Sequence, residues 1–152
     1  MRTISAAGLA LLKSFEECRL VVYADAVGNP TVGWGHLVLP EDNLKLGDVV
    51  TQDWADAKLM ADLRPAELEV IHYAGQSLND AQFSALVDFT YNLGSGAFSD
   101  FANLHMRAAS WAYDVAKALP LWDDANGHQL EGLLERRVAE AAMFCGLLVS
   151  RP

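Results

Sequence analysis

One short segment limits what this chain can become. Asp25-Ala26-Val27-Gly28-Asn29-Pro30 is dense in turn formers and separates Val21-Val22-Tyr23 from Thr31-Val32-Gly33-Trp34-Gly35-His36. That is the pattern of two short strands joined by a turn, with Leu37-Val38-Leu39 continuing the small sheet before Pro40. Almost everything else is spaced for helix. A single hairpin in an otherwise helical chain excludes both an all-β fold and a plain helical bundle. The fold class it predicts is α+β, a small N-terminal β-hairpin lobe beside a mainly helical C-terminal lobe.

The helical remainder divides by its own punctuation. Leu9, Leu12 and Phe15 share one face behind Ser5, which predicts a first helix over 5–18. Thr51 caps a helix running to Leu63, and Pro65 either kinks it or opens the next one. Asn79 with Gln82 resembles a capping box, and Phe83, Leu86, Val87 and Leu93 give a buried stripe ending at Gly94. Further helices are expected over 99–108 and 110–118. A turn at Asp123–Gly127 then leads into a last helix from about Leu133 to Leu147.

Across 152 residues, 52% are hydrophobic, enough apolar surface for one domain with two lobes. The hairpin lobe would take about 14–62, and the helical lobe about 63–152 plus the N-terminal helix. The formal charge of −9 and the lack of any basic run exclude nucleic acid as the main partner. Residues 41–70 carry eight Asp/Glu against three Lys/Arg, the pattern of a solvated face. Cys18 and Cys145 lie far apart without metal-ligand spacing, so neither a disulfide nor a zinc site is expected. Both are read as small hydrophobes in helices.

Three residues near the hairpin have the chemistry for glycoside hydrolysis. Cleaving an acetal needs one carboxylic acid to protonate the leaving oxygen and a second carboxylate to handle water. Glu16 stands at the end of the first helix. Partly enclosed by Phe15 and Tyr23, it would have a raised pKa and act as general acid. Asp25, in a polar turn, would stay ionised, and Thr31 would hold water through a hydroxyl that donates and accepts. Spacing alone does not single these three out. Most surface carboxylates only solvate, and Asp25 and Thr31 are ordinary turn and strand residues.

The local sequence says more. Phe15-Glu16-Glu17-Cys18-Arg19-Leu20-Val21-Val22-Tyr23-Ala24-Asp25, then Gly28, then Thr31-Val32-Gly33-Trp34-Gly35-His36, resembles the catalytic signature of the phage-type lysozymes, glycoside hydrolase family 24. Gln82-Phe83, Ala85-Leu86-Val87 and Tyr91-Asn92-Leu93-Gly94-Ser95-Gly96-Ala97-Phe98 are similar to that family's second block. Gly132-Leu133, Arg136-Arg137 and Glu140, with Trp122 upstream, look like its third.

This resemblance implies a lysozyme-like fold with an active-site cleft between the lobes, and Glu16, Asp25 and Thr31 as catalytic residues. It implies an endolysin of the muramidase type, cutting the β-1,4 bond between N-acetylmuramic acid and N-acetylglucosamine with inversion. Inversion places the two carboxyl groups ~6.5–9.5 Å apart. His36, Leu37, Tyr91, Asn92 and Gly94 would bind substrate, with His36 also ion-paired to an acid on the following helix, Asp62. Arg136 would support the site by pairing with Glu16, against the plain alternative of an exposed helix residue. No cofactor or metal is implied, and the chain would work as a monomer.

The partner implied is bacterial peptidoglycan. The apolar run Ile4–Leu12 is too short to span a bilayer and lacks a basic n-region and a cleavage site. The expectation is therefore a protein held in the host cytoplasm, without stable membrane insertion, until another protein opens a holin-type pore.

There are departures from the family pattern. Glu17 stands where the family has Gly, which would strain the chain if φ were positive there, or raise the Glu16 pKa. Residues 100–105 lack the expected Ser/Thr-Leu-Leu. Two rival readings follow: a lytic transglycosylase, disfavoured by the presence of Asp25 and Thr31, and a peptidoglycan-binding relative that has lost turnover.

Overall fold

The computed structural model describes residues 2–74, 77–125, 128–129 and 131–147. The chain divides into two units, residues 13–64 and residues 1–12 together with 65–152.

In the first unit, strand β1 (Arg19–Ala24) pairs antiparallel with β2 (Pro30–Gly33), setting Tyr23 opposite Thr31 and Ala24 opposite Pro30. The strand expected over 31–36 is split. Gly33 and Gly35 both adopt positive φ, 65° and 92°, which reverses the chain and makes His36–Leu37 a separate strand, β3, against β2. The other edge of β1 is covered by residues 47–50, through the Val22 N–H to Asp48, the Gly47 N–H to Val22 and the Val50 N–H to Leu20. Val22, Val32 and Val50 are buried beneath the sheet with Leu20, Val38, Leu44 and Trp54 around them. Helix α2 (Gln52–Asp62) closes the unit. Thr51 caps it by accepting the Trp54 N–H at 3.2 Å, and Ala55 and Leu59 turn inward.

Helix α1 (Ala6–Phe15) stops three residues before the expected end. The chain must be extended from Arg19 to pair with Gly33, which leaves Glu16, Glu17 and Cys18 as the crossing. Cys18 is thus not a helix residue. Its thiol lies beside Gln52, and Cys145, in the turn after the last helix, is exposed; both are free thiols.

The second unit is helical: α3 (Arg64–Ala74), α4 (Asp80–His105), α5 (Trp111–Ala118) and α6 (Glu131–Phe144). Pro65 opens α3 from its first turn, resolving that alternative. The Asn79–Gln82 capping box forms in full: Asn79 accepts the Gln82 N–H and Gln82 accepts the Asn79 N–H. Helix α4 breaks at Gly94, where φ is 87° and ψ 162°, but resumes at once, so the helix expected over 99–108 is its continuation and ends at His105. Of the turn expected at Asp123–Gly127, residues 126–127 lie outside the described residues. The short strands β4 (Asp124–Ala125) and β5 (His128–Gln129) pair on either side. Helix α6 starts at Glu131 rather than Leu133 and ends at Phe144 rather than Leu147. The Gly146 N–H bonds to Met143 and the Leu147 N–H to Ala142, a cap that stops the helix. Phe83, Leu86, Phe89, Phe98, Phe101, Leu119 and Phe144 form the core. No described helix is long and apolar enough to cross a membrane.

The approach of α1 to α4 depends on Gly8. A Cβ built there would lie 2.3 Å from the Ser84 Cβ and 2.9 Å from Ile4 Cγ1. Ser84 is itself held, because its hydroxyl accepts the Ser5 N–H at 3.0 Å and donates to the Ser5 hydroxyl at 2.9 Å. Gly8→Ala gains helix propensity, worth about 1 kcal/mol, yet overpacking at so close an approach falls in the upper part of its usual range, about 2–3 kcal/mol, for a net loss of about 1–2 kcal/mol. The expected result is a lower melting temperature, by roughly 2–8 °C at ~2–4 °C per kcal/mol. An unchanged or higher value would show that the two helices part without cost.

Candidate active site

Glu16 follows α1 directly and is half-buried. The end of that helix is tied down by Asp56 of α2, which accepts from the Lys13 ammonium at 2.8 Å and the Trp34 indole N–H at 2.6 Å. Lys13 also lies 4.9 Å from the Trp34 ring centre. Hydrogen bonds from Lys13 and Trp34 hold the Asp56 carboxyl below its ordinary range, so it serves as an anion at this junction. The positioning of Glu16 therefore rests on three elements: α1, the turn after β2 and α2.

Glu17 neither strains the chain nor crowds Glu16 with uncompensated charge. Among the described residues the positive φ outside glycine belongs to Asn43, not Glu17. The Glu17 carboxylate is exposed and accepts from Arg19 at 2.9 Å, and that hydrogen bond lowers its pKa. Arg19 in turn stacks over the Tyr23 ring, 4.6 Å from its centre.

Asp25 and Thr31 sit at the two ends of the β1–β2 turn, and Asn29 joins them. Asp25 Oδ1 accepts the N–H groups of Val27 at 2.9 Å and Asn29 at 2.8 Å; Oδ2 accepts the Asn29 side-chain amide at 3.2 Å. These bonds, led by the Asn29 N–H, hold the Asp25 pKa below its ordinary value against a smaller opposing effect of burial. Asp25 is thus ionised at neutral pH, as its polar turn predicts. Thr31 is buried, and its hydroxyl donates to the Asn29 carbonyl at 3.2 Å. With its proton committed, the oxygen offers lone pairs, making it an acceptor toward an incoming O–H. The role of Asn29 escaped the sequence reading, which registered it only as a turn former. The signal was its place four residues after an Asp and directly before Pro30.

His36 is buried, with Nδ1 2.8 Å from Asp62 and Nε2 2.9 Å from Asp42. The Asp62 partner was expected; Asp42 was not, since it arrives from the short 3₁₀ turn Pro40–Asp42. Burial pushes the Asp42 pKa up, but the Lys58 ammonium, the His36 ring and the Leu39 N–H outweigh it and bring it to about 2. Both ring nitrogens of His36 therefore serve a structural lock between β3 and α2. Leu37 beside it is exposed. Among the described residues no group of His, Cys, Asp or Glu is placed to hold a metal ion.

In the other unit, Tyr91 and Asn92 are half-buried and Gly94 is exposed. The Asn92 side-chain oxygen accepts from Arg137. Arg136 is not an exposed helix residue. It is buried, donates through Nε and Nη2 to Asp88, and lies 3.5 Å from Glu140.

Comparison with known proteins is specific. The model of the phage lysozyme family matches residues 13–140. The endolysin of Acyrthosiphon pisum secondary endosymbiont phage 1 is 32% identical over 145 residues, spanning 93% of this chain and 97% of that protein. A P22 lysozyme variant superposes with TM-score 0.83 at 30% identity, over 95% of this chain and 99% of its own. The muramidase domain of SpmX from Asticaccaulis excentricus gives 0.81 at 32% identity, over 95% and 98% of the two chains.

Proposed function

The chain belongs to the phage lysozyme family, and we propose from that premise that it lyses peptidoglycan as an inverting muramidase. The bond cut is the β-1,4 linkage between N-acetylmuramic acid and N-acetylglucosamine. Glu16 protonates the leaving glycosidic oxygen. A water attacks the anomeric carbon from the opposite face, passes its proton to Asp25 and is aligned by a hydrogen bond to Thr31 Oγ1.

The observation that carries this reading is the pairing of an ionised Asp25 with a Thr31 hydroxyl whose own proton is already donated. A site that uses water needs a second carboxylate and an acceptor to hold it; a transglycosylase, whose attacking hydroxyl comes from the sugar, can pass that proton to the one carboxyl that has already served as acid. We assign saccharide binding to His36, Leu37, Tyr91, Asn92 and Gly94, and a supporting role to Arg136. His36 would act through the lock it makes with Asp42 and Asp62, and Asn92 through its amide NH2. In a phage setting the protein would reach the wall from the host cytoplasm through a pore made by a holin-type protein.

Product analysis decides between these chemistries. Digestion of purified peptidoglycan should release muropeptides with reducing N-acetylmuramic acid ends, seen by mass spectrometry, with the α-anomer appearing first by NMR. A β-anomer formed first would overturn inversion and the role of Asp25 as base. Anhydro-muropeptides would move the assignment to a transglycosylase.

A further inference from the structure

We propose that Asn29 is the positioning residue of the water-handling half of this site, setting both the direction of the Asp25 carboxylate and the polarity of the Thr31 hydroxyl. The inference rests on the muramidase reading above and names the residue on which its base and acceptor jointly depend.

Four hydrogen bonds meet on this one residue. Its N–H and its side-chain amide take one oxygen each of Asp25, at 2.8 and 3.2 Å. Its carbonyl accepts the Asp25 N–H at 2.9 Å and the Thr31 hydroxyl at 3.2 Å. Both oxygens of the base and the proton of the acceptor are thus oriented by the side chain of Asn29 and the two peptide groups that flank it.

The following residue makes that geometry firm. Pro30 restricts Asn29 to extended backbone. The carbonyl direction is therefore set before any substrate arrives, and β1–β2 pairing at Ala24–Pro30 and Tyr23–Thr31 holds the turn from both sides. Were the Thr31 proton free to rotate, the hydroxyl could donate to water and turn its lone pairs away from the base. Donation to Asn29 removes that choice.

The charges around Asp25 leave room for a neutral amide to matter. The groups that hold its carboxylate down are Asn29, Val27 and Gly28, all of its own turn. On the approach to β1, Glu17 and Arg19 neutralise each other. On the segment pairing with the far edge of β1, Asp48 accepts the Lys45 N–H.

The test uses Asn29→Ala and Asn29→Ser in the full chain, with Asp25→Asn as reference. Asn29→Ala keeps the backbone bonds and removes the side-chain amide. Its kcat should fall about tenfold with KM within about twofold, since the contact acts on water rather than on sugar. Losing a donor to the ionised form raises the Asp25 pKa, so the acidic limb of kcat/KM should move to higher pH, by about half a unit. Asn29→Ser, which keeps a short donor, should recover part of both effects, and melting temperatures should stay within about 2 °C of the parent, as for an exposed polar change. An unmoved acidic limb with unchanged kcat in Asn29→Ala would overturn the proposal, as would a loss of activity that merely tracks loss of stability. If Asp25→Asn abolishes turnover while Asn29→Ala does nothing, the muramidase reading stands and this inference fails. If Asp25→Asn stays active, the reading beneath it fails as well.

Discussion

Glu16→Gln should fold as the parent does and lose turnover of peptidoglycan by about 10²–10⁴-fold, the range that general acid catalysis supplies. The substitution changes one oxygen to NH2 and little else. Gln keeps the length, the planar end and most of the hydrogen-bonding capacity, so the half-buried residue after α1 retains its place. What it cannot do is give a proton to a leaving alkoxide. The loss should therefore fall on kcat, with KM nearly unchanged, because the proton moves only in the transition state. The substitution leaves the anchoring of this stretch by Lys13, Trp34 and Asp56 in place. A folded Glu16→Gln protein with wild-type kcat would remove Glu16 from the mechanism, whatever the family pattern says.

Family likeness, not spacing, singles out Glu16, Asp25 and Thr31; what residue type makes legible is only their local setting. All three fall within the run 15–36, and turn and strand chemistry over so short a distance is local. Asx-type bonding at Asp25 and a strand at Thr31 are what those residue types do by themselves. The β2–β3 reversal was missed for the opposite reason. Thr31-Val32-Gly33-Trp34-Gly35-His36 alternates like one strand, and only the conformations of its two glycines break it. Asp42 was missed as the partner of His36 because the contact is made by folding, through a 3₁₀ turn that no pattern places against β3.

The buried charges of the helical unit lay further out of reach. Arg136, Arg137 and Glu140 sit in α6, which also exposes Glu131 and Glu135. Nothing in residue type separates those that face inward from those that face water. Charges at such spacings are ordinarily a solvated face, and packing against Asp88 of α4 is what decides otherwise. Family likeness took Arg136, Arg137 and Glu140 together as one block and attached a role in the site to Arg136 alone.

Arg137 carries the second large prediction. It has no exposed surface, stacks over Phe89 with 4.9 Å to the ring centre, donates to Asn92 and lies 3.0 Å from Glu140. Beside it Arg136 and Asp88 pair with each other, so two guanidinium and two carboxyl groups are buried together. Removing one member leaves a buried charge uncompensated, which costs about 3–5 kcal/mol. Arg137→Met should lower stability by that amount, or roughly 6–20 °C in melting temperature at ~2–4 °C per kcal/mol. Removing both partners of the pair is different. Arg137→Met with Glu140→Leu leaves Arg136–Asp88 neutral and fills the space with apolar atoms, and should return to within about 1–2 kcal/mol of the parent. The single variant should also acquire a pH dependence. Burial and the Asp88 charge push the Glu140 pKa up, and Arg137 and Arg136 pull it back; without Arg137 the upward push grows. The folded state then holds a proton that the unfolded chain has released, so stability falls as pH rises from the ordinary carboxylate range through the raised value. The deficit of Arg137→Met, measured by denaturant melts, should accordingly be larger at pH 8 than at pH 5. A double variant as unstable as the two single losses added together would show that the four groups stabilise this core rather than merely tolerate one another within it.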